Sequence, residues 1–202
     1  MKAGPLLGAL LLLPLGCRTQ APRPPVYAAW EEGLTLGFEA PGLASPEREA
    51  ARFQKQVTHT AWDGETRKVE VAYTTIQGHL VMQQVLRKGG VAFVDGQGRK
   101  QVLLPEGFPD STPSWDTATH HFTVLGRARW EHDRPVFPEP QDREGVWVEA
   151  IPLRAGGTRI RAFYLPGIGE AESREWREGR WVTTNLLVSR GFTEIPKARK
   201  SQ

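Results

Sequence analysis

The feature that most constrains this chain is a rhythm of short apolar-alternating runs, broken about every ten residues by a turn dipeptide. Asp63-Gly64 joins a run ending near Trp62 to one in which Val69, Val71 and Tyr73 face one way while Lys68, Glu70 and Thr74 face the other. Gln77-Gly78 leads into Leu80–Leu86, Gly89-Gly90 into Val91–Val94, and Asp95-Gly96-Gln97-Gly98 into Gln101–Leu104. The pattern returns at His121–Arg127 and Val146–Leu153, then runs through Gly156-Gly157, Pro166-Gly167 and Glu178-Gly179. Asp-Gly and Gly-Gly pairs tolerate positive φ, the backbone state that tight hairpins need. Period two places alternate side chains on opposite faces of a strand.

Roughly ten locally joined strands cannot lie flat, because strand twist accumulates across a sheet. The expected fold is a mainly β, single-domain antiparallel meander, with little helix, forming a strongly curved sheet, a half-barrel or a barrel. Leu34, Leu36 and Phe38 open the alternation. Ser45-Pro46-Glu47 suits a short helix, with Ser45 as N-cap and Pro46 at its first position. A strand is expected from about Arg52. Two proline-rich interruptions break the rhythm, one from Leu104-Pro105 to about Thr117 and one from Trp130 to Glu144. Proline cannot donate to a ladder, so neither reads as an interior strand. Several later strands are apolar on both sides, with Trp147, Ile151 and Leu153 on one and Val146 and Val148 on the other. Something must therefore cover the second face, and the interruptions are the candidates, or else they are lips at a cavity mouth.

The N-terminus carries a different signal. Lys2 gives a positive start, Ala3 to Leu15 is apolar or small, and Leu13-Pro14-Leu15-Gly16-Cys17 ends in the only cysteine. An apolar run of about thirteen residues is too short for a spanning helix, which needs about twenty. It reads as a secretory h-region. This stretch resembles the export signal of bacterial lipoproteins, which implies cleavage between Gly16 and Cys17 and a diacylglycerol on the Cys17 thiol. Each buried methylene contributes about 0.8 kcal/mol, and two acyl chains make a stable anchor. The absence of Asp at Arg18 resembles lipoproteins sent on to the outer membrane, there to face the periplasm. The competing reading is a plain signal cut after Ala21, which leaves a soluble periplasmic protein.

The implied organisation is a signal peptide at 1–16, a lipid-anchored tether at 17–26, a β-rich domain at 27–196 closed by Ile195-Pro196, and a basic tail at 197–202. Without Lys2 the mature chain keeps 25 basic against 23 acidic residues, so nucleic acid is not an expected partner. With 39% hydrophobic and 24% charged residues, the composition is that of a folded globular chain.

Catalytic signatures are missing. Leu187-Val188-Ser189-Arg190-Gly191 lacks the first glycine of a nucleophile elbow, and Gly167-Ile168-Gly169 lacks the third glycine of a dinucleotide fingerprint. Asp95-Gly96-Gln97-Gly98 has too few oxygen ligands for calcium. His120 and His121 are neighbours on a strand and so point to opposite faces, which gives zinc no converging set. The chain therefore reads as a non-enzyme without cofactor or metal. Phe108 and Trp115, in a loop with Asp110, Ser111 and Asp116, form a candidate aromatic platform for a sugar or a lipid tail. Trp130, flanking the second interruption, joins them as a candidate ligand contact.

A lipid-anchored, curved antiparallel sheet is similar to the periplasmic lipoprotein-carrier and lipoprotein-receptor proteins, whose half-barrel holds acyl chains. The segment Tyr164-Leu165-Pro166-Gly167-Ile168-Gly169-Glu170 also resembles the tyrosine–proline–glycine turn near the C-terminus of many bacterial envelope proteins. Two roles follow as expectations. One is a non-catalytic accessory or structural protein contacting an unknown envelope protein; the other is a carrier or sensor holding a lipid or another hydrophobic small molecule. An open apolar concavity favours the carrier, and a filled core favours the accessory role.

Overall fold

Alternation converts into strands with little displacement. Leu34, Leu36 and Phe38 are buried and their neighbours half-buried, and this run is β1, Leu34–Glu39. After a one-and-a-half-turn helix, α1 (Ser45–Ala50), come β2 (Phe53–Asp63), β3 (Thr66–Thr75), β4 (Gly78–Arg87), β5 (Gly90–Val94) and β6 (Lys100–Leu104). The second half holds β7 (Ser114–Asp116), β8 (His120–Arg129), β9 (Glu144–Pro152), β10 (Ile160–Leu165), β11 (Gly169–Arg177) and β12 (Arg180–Phe192). The computed structural model describes residues 25–95, 97–132, 136–137 and 143–194. The expected signal peptide, Cys17, Ile195-Pro196 and the basic tail lie outside the described residues.

Two expectations need correction. The helix cap is Ala44 rather than Ser45, with no side-chain cap hydrogen bond, so Ser45 opens the helix and Pro46 follows it. Strands number twelve rather than about ten, because β7 forms inside the first interruption, where Ser114–Asp116 escapes the flanking prolines. Elsewhere turn chemistry set the register. Lys88-Gly89 and Glu178-Gly179 both have positive φ at each residue and close two-residue hairpins.

All strands belong to one antiparallel sheet, ordered β6-β5-β4-β3-β2-β1-β12-β11-β10-β9-β8-β7. The first and last strands are thus partners at its centre, and the halves fan outwards to two edges, β6 and β7. The edges do not pair, so the sheet is not closed. Nine residues, 105–113, join them. Laid flat, twelve strands would measure about 53 Å across. Nine residues reach about 35 Å at most. The sheet therefore curves, and its inner face carries most of the core.

Register assigns the faces, since paired residues share one. Leu36, Lys55 and Tyr73 are opposite one another across β1, β2 and β3, and Val69 is opposite Gln84 across β3 and β4. This is the inner face, where Leu36, Val57, Val69 and Val71 are fully buried. Trp147, Phe163, Glu172 and Leu186 form a row on the outer face of β9 to β12. Both interruptions supply cover, on opposite faces. Phe108 from the first packs inside against Tyr27 and Tyr164, while Trp130 and Phe137 from the second meet edge to face outside, with Trp130 bonded to Glu172. The two-sided apolar expectation for β9 holds only in part: Val146 and Val148 are buried, Trp147 is half-buried, and Ile151 and Leu153 lie open to solvent.

Candidate functional site

The structure separates the residues that the sequence nominated. Phe108 and Trp115 do come together, edge to face at 5.8 Å between ring centroids. They are packed rather than presented: Phe108 is 2% exposed, and the half-buried Trp115 stacks on Phe122 at 5.0 Å. Phe108 therefore has no open ring face for a platform. Trp130, also buried, lies on the other face with its indole N–H donated to Glu172. Both carboxylate oxygens of Asp110 accept from Nη2 of Arg127, whose Nη1 donates to the Tyr27 hydroxyl, so this loop is tied to β8.

A different set of side chains converges on the inner face. Lys55 from β2, Gln84 from β4, Glu170 from β11 and Asn185 from β12 line one chamber of about 180 Å³, with Phe53 and Tyr73 among its aromatic walls. Strand alternation places the first two. Lys55 falls in phase with Phe53 and Val57, and Gln84 in phase with Leu86, at positions otherwise given to apolar side chains.

Several polar groups there lack partners. Gln84 is 2% exposed; its amide nitrogen reaches the Tyr73 hydroxyl at 3.5 Å, and its carbonyl oxygen is unmatched. Asn185 donates to Glu170 at 3.0 Å and leaves its own oxygen unmatched. Lys55, 9% exposed, makes no hydrogen bond or ion pair among the described residues and lies 5.9 Å from the Tyr73 ring centroid. Buried polar groups are nearly always paired, so this cluster is exceptional for a core.

Burial governs its electrostatics. Desolvation pulls the Lys55 ammonium down to about 8, and the Glu170 charge only partly restores it. Glu170 moves up for the same reason, against the pull of its bonds to Asn185 and Ser173 and of the Lys55 charge. Tyr73 is pushed up to about 12 by burial. Burial thus shifts the lysine down and the carboxyl up within one small space, each opposed by the other's charge.

The outer face offers a larger groove, about 520 Å³, between Trp130, Trp147, Arg161 and Arg174. Its central charges, Arg161, Arg174 and Glu172, are already matched. Arg161 binds Glu149 at 2.8 Å, Arg174 binds Glu172, and the Arg174 guanidinium lies 4.9 Å over Trp147. Arg159 adds a second contact to Glu149 at 2.9 Å. The histidines are likewise engaged, His121 with Asp116 at 2.7 Å and His120 with Thr119 at 2.9 Å. Among the described residues no three metal-ligating side chains converge.

An open, twelve-stranded antiparallel sheet with its terminal strands paired at the centre defines the class of fold. Two solved structures are similar to this chain in fold. One is a protein from Bacteroides fragilis classed as exported, with a YMCC-like fold: TM-score 0.51, 12% identity, 83% of this chain and 99% of that one. The other, from Parabacteroides distasonis and classed as a lipoprotein, has TM-score 0.50 and 9% identity over the same shares. No protein family matches the chain, and no curated protein matches it.

Sequence reasoning missed Lys55, Gln84, Glu170 and Asn185. A signal for the first two was present, since Lys55 breaks the apolar parity of Phe53 and Val57 and Gln84 that of Met82 and Leu86. Glu170 and Asn185 carried none, because bulges between Phe163 and Tyr164 and between Ser173 and Arg174 reset which residues point inward.

Proposed function

We propose that this chain is a lipid-anchored bacterial envelope protein whose β domain acts by contact with an envelope partner, as a non-catalytic accessory or structural subunit. One observation carries the choice over lipid carriage: the inner face is filled by packed side chains and capped by Phe108. The chamber it encloses is about 180 Å³ and holds Lys55 and Glu170. Sites for drug-sized ligands run to about 300–1,000 Å³ and are mostly apolar. An acyl chain would have to desolvate a lysine and a carboxyl together. The two structural neighbours, classed as exported protein and lipoprotein, support the envelope setting.

Membrane attachment is tested by Cys17→Ala. The parent fractionates with membranes and the variant is released; equal membrane retention overturns the anchor. The contact role is tested by native mass spectrometry of the mature protein purified from its own host. A bound envelope protein is the expected result. A lipid at near-stoichiometric amount overturns it in favour of the carrier.

A further inference from the structure

We propose that the inner chamber is a binding site for one small neutral molecule rich in hydroxyl groups, about the size of a single six-membered ring. This goes beyond the accessory role, which requires no small ligand.

Size comes first. The chamber holds about 180 Å³. An engineered cavity of about 150 Å³ accepts benzene, so one ring fits and a chain of several does not.

Charge selects next. Lys55 and Glu170 both line the chamber, and no ion pair joins them. A cation is repelled by Lys55 while drawn by Glu170, an anion the reverse, and either must give up its hydration to enter. A neutral molecule meets neither penalty.

Hydrogen bonding then decides among neutral and zwitterionic molecules. The unmatched acceptors are the side-chain oxygens of Gln84 and Asn185. Gln84 is on β4 and Asn185 on β12, four strand steps apart along the sheet, or about 19 Å if it were flat. Curvature brings both side chains to one chamber. A ring carrying hydroxyls around its rim serves both, and its oxygens accept from Lys55.

The walls suit the same shape. Phe38 and Phe53 stack at 4.5 Å, with Phe53 tilted against Tyr73 at 6.2 Å, and they offer apolar surface to the C–H face of a ring. Ordered water could satisfy the two oxygens but gains nothing from such walls. Phe53, Tyr73, Leu103 and Asn185, all half-buried, form the rim through which a small molecule enters.

The test is ligand-observed saturation-transfer NMR on the full mature protein, with myo-inositol and D-glucose as neutral probes. Glycine betaine, acetate and choline represent zwitterion, anion and cation. Expected is binding of a neutral probe, weakened about tenfold, or about 1.4 kcal/mol, by Asn185→Leu and by Gln84→Leu. Trp176→Ala, on the outer face, leaves it unchanged. If Gln84→Leu does not fold, Asn185→Leu at the half-buried rim carries the test alone. Binding confined to the charged probes, binding untouched by the chamber variants, or no neutral binding at all overturns the proposal. Co-purified lipid is read separately by mass, so failure of the accessory role and failure of this site are told apart.

Discussion

Phe108 and Tyr164 meet edge to face, 6.0 Å between ring centroids, although one belongs to the linker joining the two sheet edges and the other to β10. The same Phe108 ring meets Tyr27 at 5.1 Å. One side chain thus ties the linker to the inner face of the second half and to the segment leading into β1. Truncating a buried phenylalanine costs about 3–5 kcal/mol. Phe108→Ala is expected to fall in that range in urea denaturation, and a loss under 1 kcal/mol would mean that the linker is not part of the core.

Lys55 and Glu170 give folding stability opposite slopes in two pH windows. Lys55 releases its proton at about 8 in the fold against an ordinary value of 10.5. Between those values the unfolded chain holds the extra proton, so stability rises with pH. Glu170, raised above 4.5 by burial, holds its proton longer in the folded state. Its contribution is complete below 4.5 and is lost as pH rises through the folded value. Lys55→Met should abolish the alkaline rise and raise stability at neutral pH by about 1–3 kcal/mol. Glu170→Gln should abolish the fall on the acid side. Melting temperatures across pH 4–10 of the parent and both variants provide the comparison, and superimposable profiles would refute it.

Glu172 fastens the second interruption to the outer face, accepting from Trp130 at 3.3 Å and from Arg174. Glu172→Leu leaves a buried indole N–H unpaired, at a cost of about 1–3 kcal/mol. Glu172→Gln keeps an acceptor and should lose less. Tryptophan fluorescence followed through chemical denaturation ranks the two; the reverse order would show that the carboxylate is dispensable.

The two-residue hairpins make a paired prediction. Gly179 has φ +79° and open space around it, so Gly179→Ala is penalised by backbone conformation alone, about 1 kcal/mol. Gly89 has the same φ, but an added methyl would stand 3.3 Å from the Phe108 carbonyl oxygen. Gly89→Ala should therefore lower the melting temperature further than Gly179→Ala. Glu178→Asn should raise it slightly, since asparagine tolerates the positive φ of 50° at that position.

The sequence by itself determined what is local. Strand positions such as Leu34–Glu39, the hairpin at Glu178-Gly179 and the break at Pro105 follow from alternation and turn chemistry, which act within a few residues. The expectation of a leader is local too, because charge, apolar length and Gly16-Cys17 are read along the chain. Only the tertiary structure decided that β1 pairs with β12, since any two strand edges offer the same backbone groups and only the packing of the whole chain selects the partners. It also decided the faces of β8, β11 and β12, where one-residue bulges invert side-chain parity. The chamber is the clearest case. Lys55, Gln84, Glu170 and Asn185 are spread over 131 residues, and they become neighbours only because a sheet too wide for its linker has to bend.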